Sequence, residues 1–346
     1  MNPTLYGIFL LSLLASTILT MSSNHWLLAW IGLELNTLAM IPLIAQPHHP
    51  RATEATTKYF LTQTTASTII LFVATLNAWQ TGQWMISLPP STGMTALLTI
   101  AIMMKLGLAP MHFWYPEVLQ GATMTTALII STWQKLAPMA LLYMTMNYLP
   151  INLLLSLGFI ATLIGGWTGL YHTQLRKLMA YSSISHMGWL MVALIINPKL
   201  GVLTLMIYLI LTAAVFTTLI TTSTKTIMDI GTIWPHTPML ASLVTLALLS
   251  LGGLPPLTGF MPKLLIIKDL ASISLMPLAT GLALLSLPAL YFYVRCAYFI
   301  ILTTPPNTHT TMFMWRLKQT MTPTLSLIMT MTILMMPLTA TLYPTL

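Results

Sequence analysis

The sequence predicts an all-α polytopic membrane protein of about eleven transmembrane helices, built as an inverted repeat of two five-helix units with two broken helices. Three observations predict this class. Of 346 residues, 56% are hydrophobic and 5% charged, with a mean hydropathy of +0.84, where an ordinary soluble domain carries about 25% charged residues. Apolar stretches long enough to span a bilayer, about 20 residues each, recur along the whole chain. They are Leu-rich and far longer than the roughly ten alternating residues of a barrel strand. Finally, two of the stretches are interrupted in their middle by glycine and proline, and each carries a lysine at the interruption.

The first span, 3–21, follows Met1-Asn2-Pro3-Thr4, which has neither a basic leader nor a small-residue cleavage site, and so reads as a permanent helix. Span 2, 25–45, is apolar except for Glu34 near its middle, and span 3 covers 59–80 after a loop holding Arg51 and Lys58. Span 4, 95–119, breaks after Lys105 at Gly107, Pro110 and Pro116. Proline removes a backbone donor and glycine costs about 1 kcal/mol in a helix, so a break is expected there. Span 5, 124–146, has Lys135 at its centre, and spans 6 (151–171), 7 (178–197) and 8 (201–222) follow. Span 9, 239–267, breaks at Gly252-Gly253-Leu254-Pro255-Pro256, ahead of Gly259, Pro262 and Lys263. Spans 10 (275–300) and 11 (323–343) complete the set.

The two broken spans lie five apart, and five is odd. Spans 1–5 and 6–10 therefore run in opposite directions, the pattern of an inverted-topology repeat with sites at helix breaks. The expected divisions are 1–146, 147–300 and a remaining loop and helix, 301–346. Unpaired backbone at membrane depth is tolerated where it is buried in protein or lines a wet cavity, so the breaks mark a transport path.

Thirteen Lys and Arg against five Asp and Glu give +8. In this chain the excess sorts by loop. The loops 46–58, 172–177, 223–238 and 301–322 hold Arg51, Lys58, Arg176, Lys177, Lys225, Arg316 and Lys318, while the opposite side holds Lys199 and Lys268. That bias puts the N-terminus on the basic side and the C-terminus on the other. No nucleic acid partner is expected from it.

The candidate chemistry lies in buried charge. A charge at the bilayer centre costs about 2.5–3.5 kcal/mol on insertion scales, so Glu34, Lys105, Lys135 and Lys263 point to proton or ion movement. Glu34 is the natural partner of one of the lysines; a moving carboxylate would switch a desolvated lysine between holding and releasing its proton. His186, in Tyr181-Ser182-Ser183-Ile184-Ser185-His186, is either a relay among hydroxyls or a satisfied core histidine. His112 could serve beside the first break, and His25, His48, His49, His236 and His309 fall in or near loops. Arg295 is expected to snorkel, and Glu117 and Asp229 to occupy turns or loops, solvated or at a helix terminus. Cys296 is the only cysteine, so this chain alone builds neither a disulfide nor a cysteine-ligated cluster. The 27 methionines are scattered as packing residues. No metal site, dinucleotide fingerprint or phosphate loop is read.

Three long segments, Lys105-Leu-Gly-Leu-Ala-Pro-Met-His-Phe-Trp-Tyr-Pro-Glu-Val118, Arg176-Lys-Leu-Met-Ala-Tyr-Ser-Ser-Ile-Ser-His-Met-Gly188 and Gly252-Gly-Leu-Pro-Pro-Leu-Thr-Gly-Phe-Met-Pro-Lys263, resemble the antiporter-like subunit 2 family of the mitochondrial NADH:ubiquinone oxidoreductase, respiratory complex I. The similarity runs the length of the chain. It implies a membrane-arm subunit that couples electron transfer, carried out in other subunits, to proton translocation. By this resemblance Glu34 and Lys105 are the pair whose separation drives the cycle, Lys135 the central lysine, His186 a relay and Lys263 the lysine towards the exit. NADH, flavin, iron–sulfur clusters and ubiquinone are then cofactors of other subunits, with none bound by this chain. The implied partners are neighbouring antiporter-like subunits, the small 4L-type subunit, accessory subunits and lipids such as cardiolipin. The Met- and Thr-rich composition is similar to that of an animal subunit made inside the organelle, which places the N-terminus in the matrix and the C-terminus in the intermembrane space. Many bacterial relatives have three further helices before the region corresponding to span 1.

Two other readings stand beside this one: a free-standing cation/proton antiporter, or a membrane-arm scaffold with a vestigial channel. The deep lysines argue against the scaffold, because it gains little by keeping costly charges at membrane depth.

Overall fold

The computed structural model describes residues 2–46, 48–88, 90–231, 233–302 and 323–345. The basic residues Arg316 and Lys318 and His309 lie outside them. Among the described residues the ordered structure is helical, with only two isolated bridges, His25 with Met85 and Gln174 with Thr226. The chain forms two compact units, Met1–Ala161 and Thr162–Leu346, and the division falls inside a helix.

In the first unit, α1 (Pro3–Ser22), α2 (Trp26–Ala45) and α3 (Pro50–Thr81) pack as consecutive neighbours. The side chains of His25 and His49 start α2 and α3 by accepting the backbone N–H of Leu27 and Arg51. Two histidines expected to be plain loop residues are thus helix caps. α3 starts nine residues before the apolar span at 59–80. Its polar first turns remain helical because Pro50 occupies the first position and Glu54 pairs with Lys58 one turn on. Lys58 also bridges to Glu117, so that glutamate is ion-paired rather than merely solvated.

Span 4 breaks as expected into α4 (Thr92–Leu106) and α5 (Trp114–Gly121). Span 5 is also broken, which the sequence reading did not foresee: α6 (Met124–Ser131), a 3₁₀ turn at Trp133–Lys135 and α7 (Leu136–Thr145). The cause is Pro138. It has no N–H for the Gln134 carbonyl and its ring crowds that carbonyl, but a proline fits the first turn of a new helix, so the helix restarts at Leu136. By contrast Pro42 and Pro288 lie inside continuous helices. α8 (Ile151–Gly169) carries the chain across the division.

The second unit continues with α9 (Leu175–Ile196) and α10 (Pro198–Thr222). The loop that follows contains two short helices, α11 (Ile227–Gly231) and α12 (Ile233–His236). Asp229 sits three residues after Thr226, the residue preceding α11. Its carboxylate accepts the N–H groups of Lys225 and Thr226, while its own N–H donates to the Thr226 hydroxyl. This reciprocal cap starts the helix. Span 9 breaks into α13 (Pro238–Gly252) and α14 (Phe260–Ser272), and α15 (Met276–Leu302) and α16 (Pro323–Thr345) complete the unit. α9, α13, α14 and α16 all pack on α10, and α13 and α14 pack on α15. Arg295 does more than snorkel: its guanidinium donates to the Leu170 carbonyl at 3.1 Å, just past the end of α8, where unpaired carbonyls accumulate.

Among the described residues, seven helices are long and apolar enough to cross a membrane. With the three broken spans and α16, they account for the eleven predicted. Leu5, Ile8, Leu11 and Ile18 expose a side of α1, as expected of a helix whose solvent is lipid.

Candidate functional site

Both foreseen breaks are built by the same turn. Gly107 (φ +71°) follows α4, and Gly253 (φ +83°) follows α13. In the first, the N–H of Gly107 bonds to Met104 and that of Leu108 to Met103, at 3.2 and 3.0 Å; in the second, Gly253 bonds to Ser250 and Leu254 to Leu249, at 3.0 and 3.3 Å. This is a Schellman ending, and the left-handed φ it requires explains the glycine in each. It stops a helix at depth while keeping two of its last carbonyls satisfied.

In the first unit, Lys105 lies in the last turn of α4, 5% exposed. Its ammonium donates to the Gln63 backbone carbonyl at 3.4 Å, and the Gln63 side-chain amide donates back to the Lys105 carbonyl at 3.3 Å. That second bond satisfies one of the free carbonyls at the end of α4. The C-terminal end of the helix also carries a partial negative charge that favours the ammonium.

Lys135, 3% exposed, lies in the unforeseen break of span 5 rather than in a continuous helix. Its ammonium sits over the Tyr115 ring, 5.2 Å from the centroid, in a cation–π contact. Beside it, Gln134 donates to Asn36 Oδ1 at 2.8 Å and accepts from the Tyr59 hydroxyl at 3.3 Å. Residues of α2, α3 and the break are thereby tied together.

Glu34, on α2, lies within electrostatic reach of Lys105 and Tyr59. Among the described residues no salt bridge joins it to Lys105 or Lys135, and its Oε2 is buried without a protein partner. The carboxylate and the Lys105 ammonium therefore feel each other without contact. Such an arrangement lets a movement of either group change the energy of the other by more than the same movement would in water, because Coulomb energy scales inversely with the dielectric of the surroundings.

In the second unit, the Lys263 ammonium reaches back from α14 to the Gly252 carbonyl at 2.8 Å, spanning the break. Gly253 makes room for it: a Cβ there would lie 2.8 Å from Lys263 Nζ. His186 and Lys263 face a common cavity of about 30 Å³, walled also by Trp189, Thr204 and Tyr208. That is room for about one water molecule. A second cavity, about 180 Å³, lies on another side of Lys263 and reaches Ser286.

The Tyr293 hydroxyl lies 3.3 Å from His186 Nε2 and is also hydrogen-bonded to Ser182. The hydroxyls of Ser182, Ser183 and Ser185 donate to carbonyls of their own helix, Met179, Ala180 and Ser182. Each of these hydroxyls thus has a backbone acceptor in its own helix, and Ser182 also reaches the Tyr293 hydroxyl. Tyr293 approaches His186 through its side chain, and the Tyr208 ring lies 5.8 Å from the imidazole, centroid to centroid. His112 Nδ1 lies 3.3 Å from the Pro110 carbonyl in the first break.

Residues 23–290 match the sequence pattern of the family described as NADH:quinone oxidoreductase/Mrp antiporter, transmembrane, and residues 290–343 that of the NADH dehydrogenase subunit 2 C-terminus. The NADH-ubiquinone oxidoreductase chain 2 of Aquarana catesbeiana is 51% identical over 342 residues, covering 99% of both chains. That of Xenopus laevis is 54% identical over 316 residues, covering 91% of this chain and 92% of the other. Among solved structures, a chain of respiratory complex I from Thermus thermophilus superposes with a TM-score of 0.87 at 24% identity, over 99% of this chain and 80% of that one. A chain of the Mrp complex from Dietzia sp. does so with a TM-score of 0.78 at 18% identity, over 85% of this chain and 60% of the other. At those identities the two structures speak for the fold.

Proposed function

The chain belongs to the NADH:quinone oxidoreductase/Mrp antiporter family, and from that membership we propose that it is the subunit 2 type membrane-arm component of a mitochondrial NADH:ubiquinone oxidoreductase. Its part in the reaction is proton translocation across the inner membrane, with NADH and ubiquinone handled by other subunits. The observation that carries this reading is the set of charges at membrane depth: a carboxylate and an ammonium, Glu34 and Lys105, in each other's field without a salt bridge, with Lys135 and Lys263 also held at helix breaks. A scaffold has no use for charges this costly to keep in a bilayer.

Glu34 and Lys105 form the charge switch. When the carboxylate moves away, the ammonium loses the field that holds its proton. Lys135 is the central carrier, His186 the relay and Lys263 the exit-side site. Supporting the relay is the cavity that His186 and Lys263 share. The five-helix divisions 1–146 and 147–300, related as an inverted repeat, are part of the same proposal, supported by the identical turn that ends α4 and α13. The N-terminus faces the matrix, as the distribution of Lys and Arg suggests. Neighbouring subunits of the membrane arm and lipids cover the exposed apolar helix faces.

A complex carrying Lys105→Met tests this: it should assemble and translocate fewer protons per NADH oxidised. Full translocation by the assembled variant would refute the assignment. A free-standing antiporter would instead exchange ions when purified alone into liposomes.

A further inference from the structure

Three polar atoms along α2 make no hydrogen bond to protein among the described residues: the indole Nε1 of Trp26, that of Trp30, and Glu34 Oε2, all three buried. Steps of four residues place them on one face of the helix, about 6 Å apart along its axis. The row starts at the end of α2 that His25 caps, away from the Arg51 and Lys58 segment, and stops at the acid already assigned to the charge switch. On α3, which packs along α2, Asn77 is 1% exposed, and neither its amide nitrogen nor its amide oxygen has a protein partner.

Buried polar groups are rarely left unmatched in folded proteins, so a row of them calls for a ligand. Its chemistry is constrained. An indole N–H only donates, a carboxylate only accepts, and a carboxamide does both. A ligand that serves all of these must be a small donor and acceptor. Water fits, and one molecule bridges groups about 5–6 Å apart, which is the pitch of the row.

We propose that α2 carries a file of bound water from its N-terminal end to Glu34, through which Glu34 exchanges protons with the aqueous side away from the basic loops. The proposal rests on the reading of Glu34 as a proton-carrying group. Trp26 and Trp30 then act as positioning residues, orienting water with their N–H groups while their rings exclude lipid. An acceptor side chain from a neighbouring subunit is the competing occupant.

The test uses the intact complex in two arms. A structure at a resolution that shows ordered water should place water within hydrogen-bond distance of Trp26 Nε1, Trp30 Nε1 and Glu34 Oε2. In the second arm, Trp30→Phe keeps the bulk of the ring and removes the N–H. It should assemble, oxidise NADH and lose protons per NADH to within twofold of the loss caused by Lys105→Ala. A partner side chain or lipid seated on these atoms, with no water, overturns the file. So does a full proton ratio in Trp30→Phe while Lys105→Ala lowers it. If Lys105→Ala also keeps the full ratio, the proton-carrying role of the switch fails, and the water density alone decides whether the file exists.

Discussion

Gly259→Ala should uncouple the second broken helix from its lysine. An ideal Cβ at Gly259 would sit 1.8 Å from the Ser250 carbonyl oxygen and 2.9 Å from its carbon, both backbone atoms that cannot rotate away. An ordinary C···O contact is about 3.3 Å, so the start of α14 must move about 1.5 Å from the end of α13. Lys263 lies one turn further on. A shift of that size would stretch its 2.8 Å bond to the Gly252 carbonyl beyond hydrogen-bond range. Overpacking of about 1–3 kcal/mol and loss of a charged hydrogen bond of about 1.5–3 kcal/mol sum to roughly 2.5–6 kcal/mol, large for one substitution. The assay is the amount of assembled complex on native gels, followed by protons translocated per NADH in vesicles. Reduced assembly, or assembly with a lowered ratio, is the expected result. Wild-type assembly and pumping in Gly259→Ala would refute the claim that the break is held by this contact.

Two further outcomes follow from the geometry. Gln63→Leu removes the amide that satisfies the Lys105 carbonyl and should destabilise the end of α4 by about 1–3 kcal/mol; a lowered proton ratio with assembly preserved is expected, while an unchanged ratio would remove Gln63 from the switch. Asp229, outside the spans, is held below the usual carboxylate range by the Thr226 N–H above all, helped by the Lys225 N–H and the Thr226 hydroxyl. Its contribution is therefore present above the unfolded carboxyl range of about 4 and fades as pH falls through the lower folded value. Hydrogen exchange at the Lys225 and Thr226 amides should show protection at neutral pH that collapses on acidification, and Asp229→Asn should flatten that dependence.

The breaks at Gly107 and Gly253 were legible because proline and left-handed glycine act locally, within a few residues of the chain. Lys105, Lys135, Lys263 and Glu34 were legible for a different reason: their type alone is anomalous in an apolar stretch. The break at Lys135 was not. Its cause, Pro138, lies three residues downstream and resembles Pro42 and Pro288, which stay inside helices. Whether a proline breaks a helix is settled by what neighbouring helices offer the freed carbonyl, and a single sequence does not say. The same limit hid Gln63, Gln134, Asn36, Tyr59 and Tyr293. Each is an unremarkable polar or aromatic residue until folding brings it against a residue distant in sequence: Gln63 meets Lys105, Asn36 and Tyr59 meet Gln134, and Tyr293 meets His186 across 107 positions. The serines near His186 show what a hydroxyl-rich string leaves open: on a helix each hydroxyl can donate to its own backbone, and Tyr293, which the string does not contain, is what the fold adds beside the histidine.

The measurement that bears most directly on the charge switch is protons translocated per NADH oxidised in vesicles holding the intact complex as wild type, Glu34→Gln, Lys105→Ala and the double variant. Residues that act as one unit are non-additive. The account predicts that each single variant assembles and lowers the ratio, and that the double variant is no worse than the poorer single one. A full ratio in either assembled single variant, or losses that simply add, would contradict a switch made of Glu34 and Lys105.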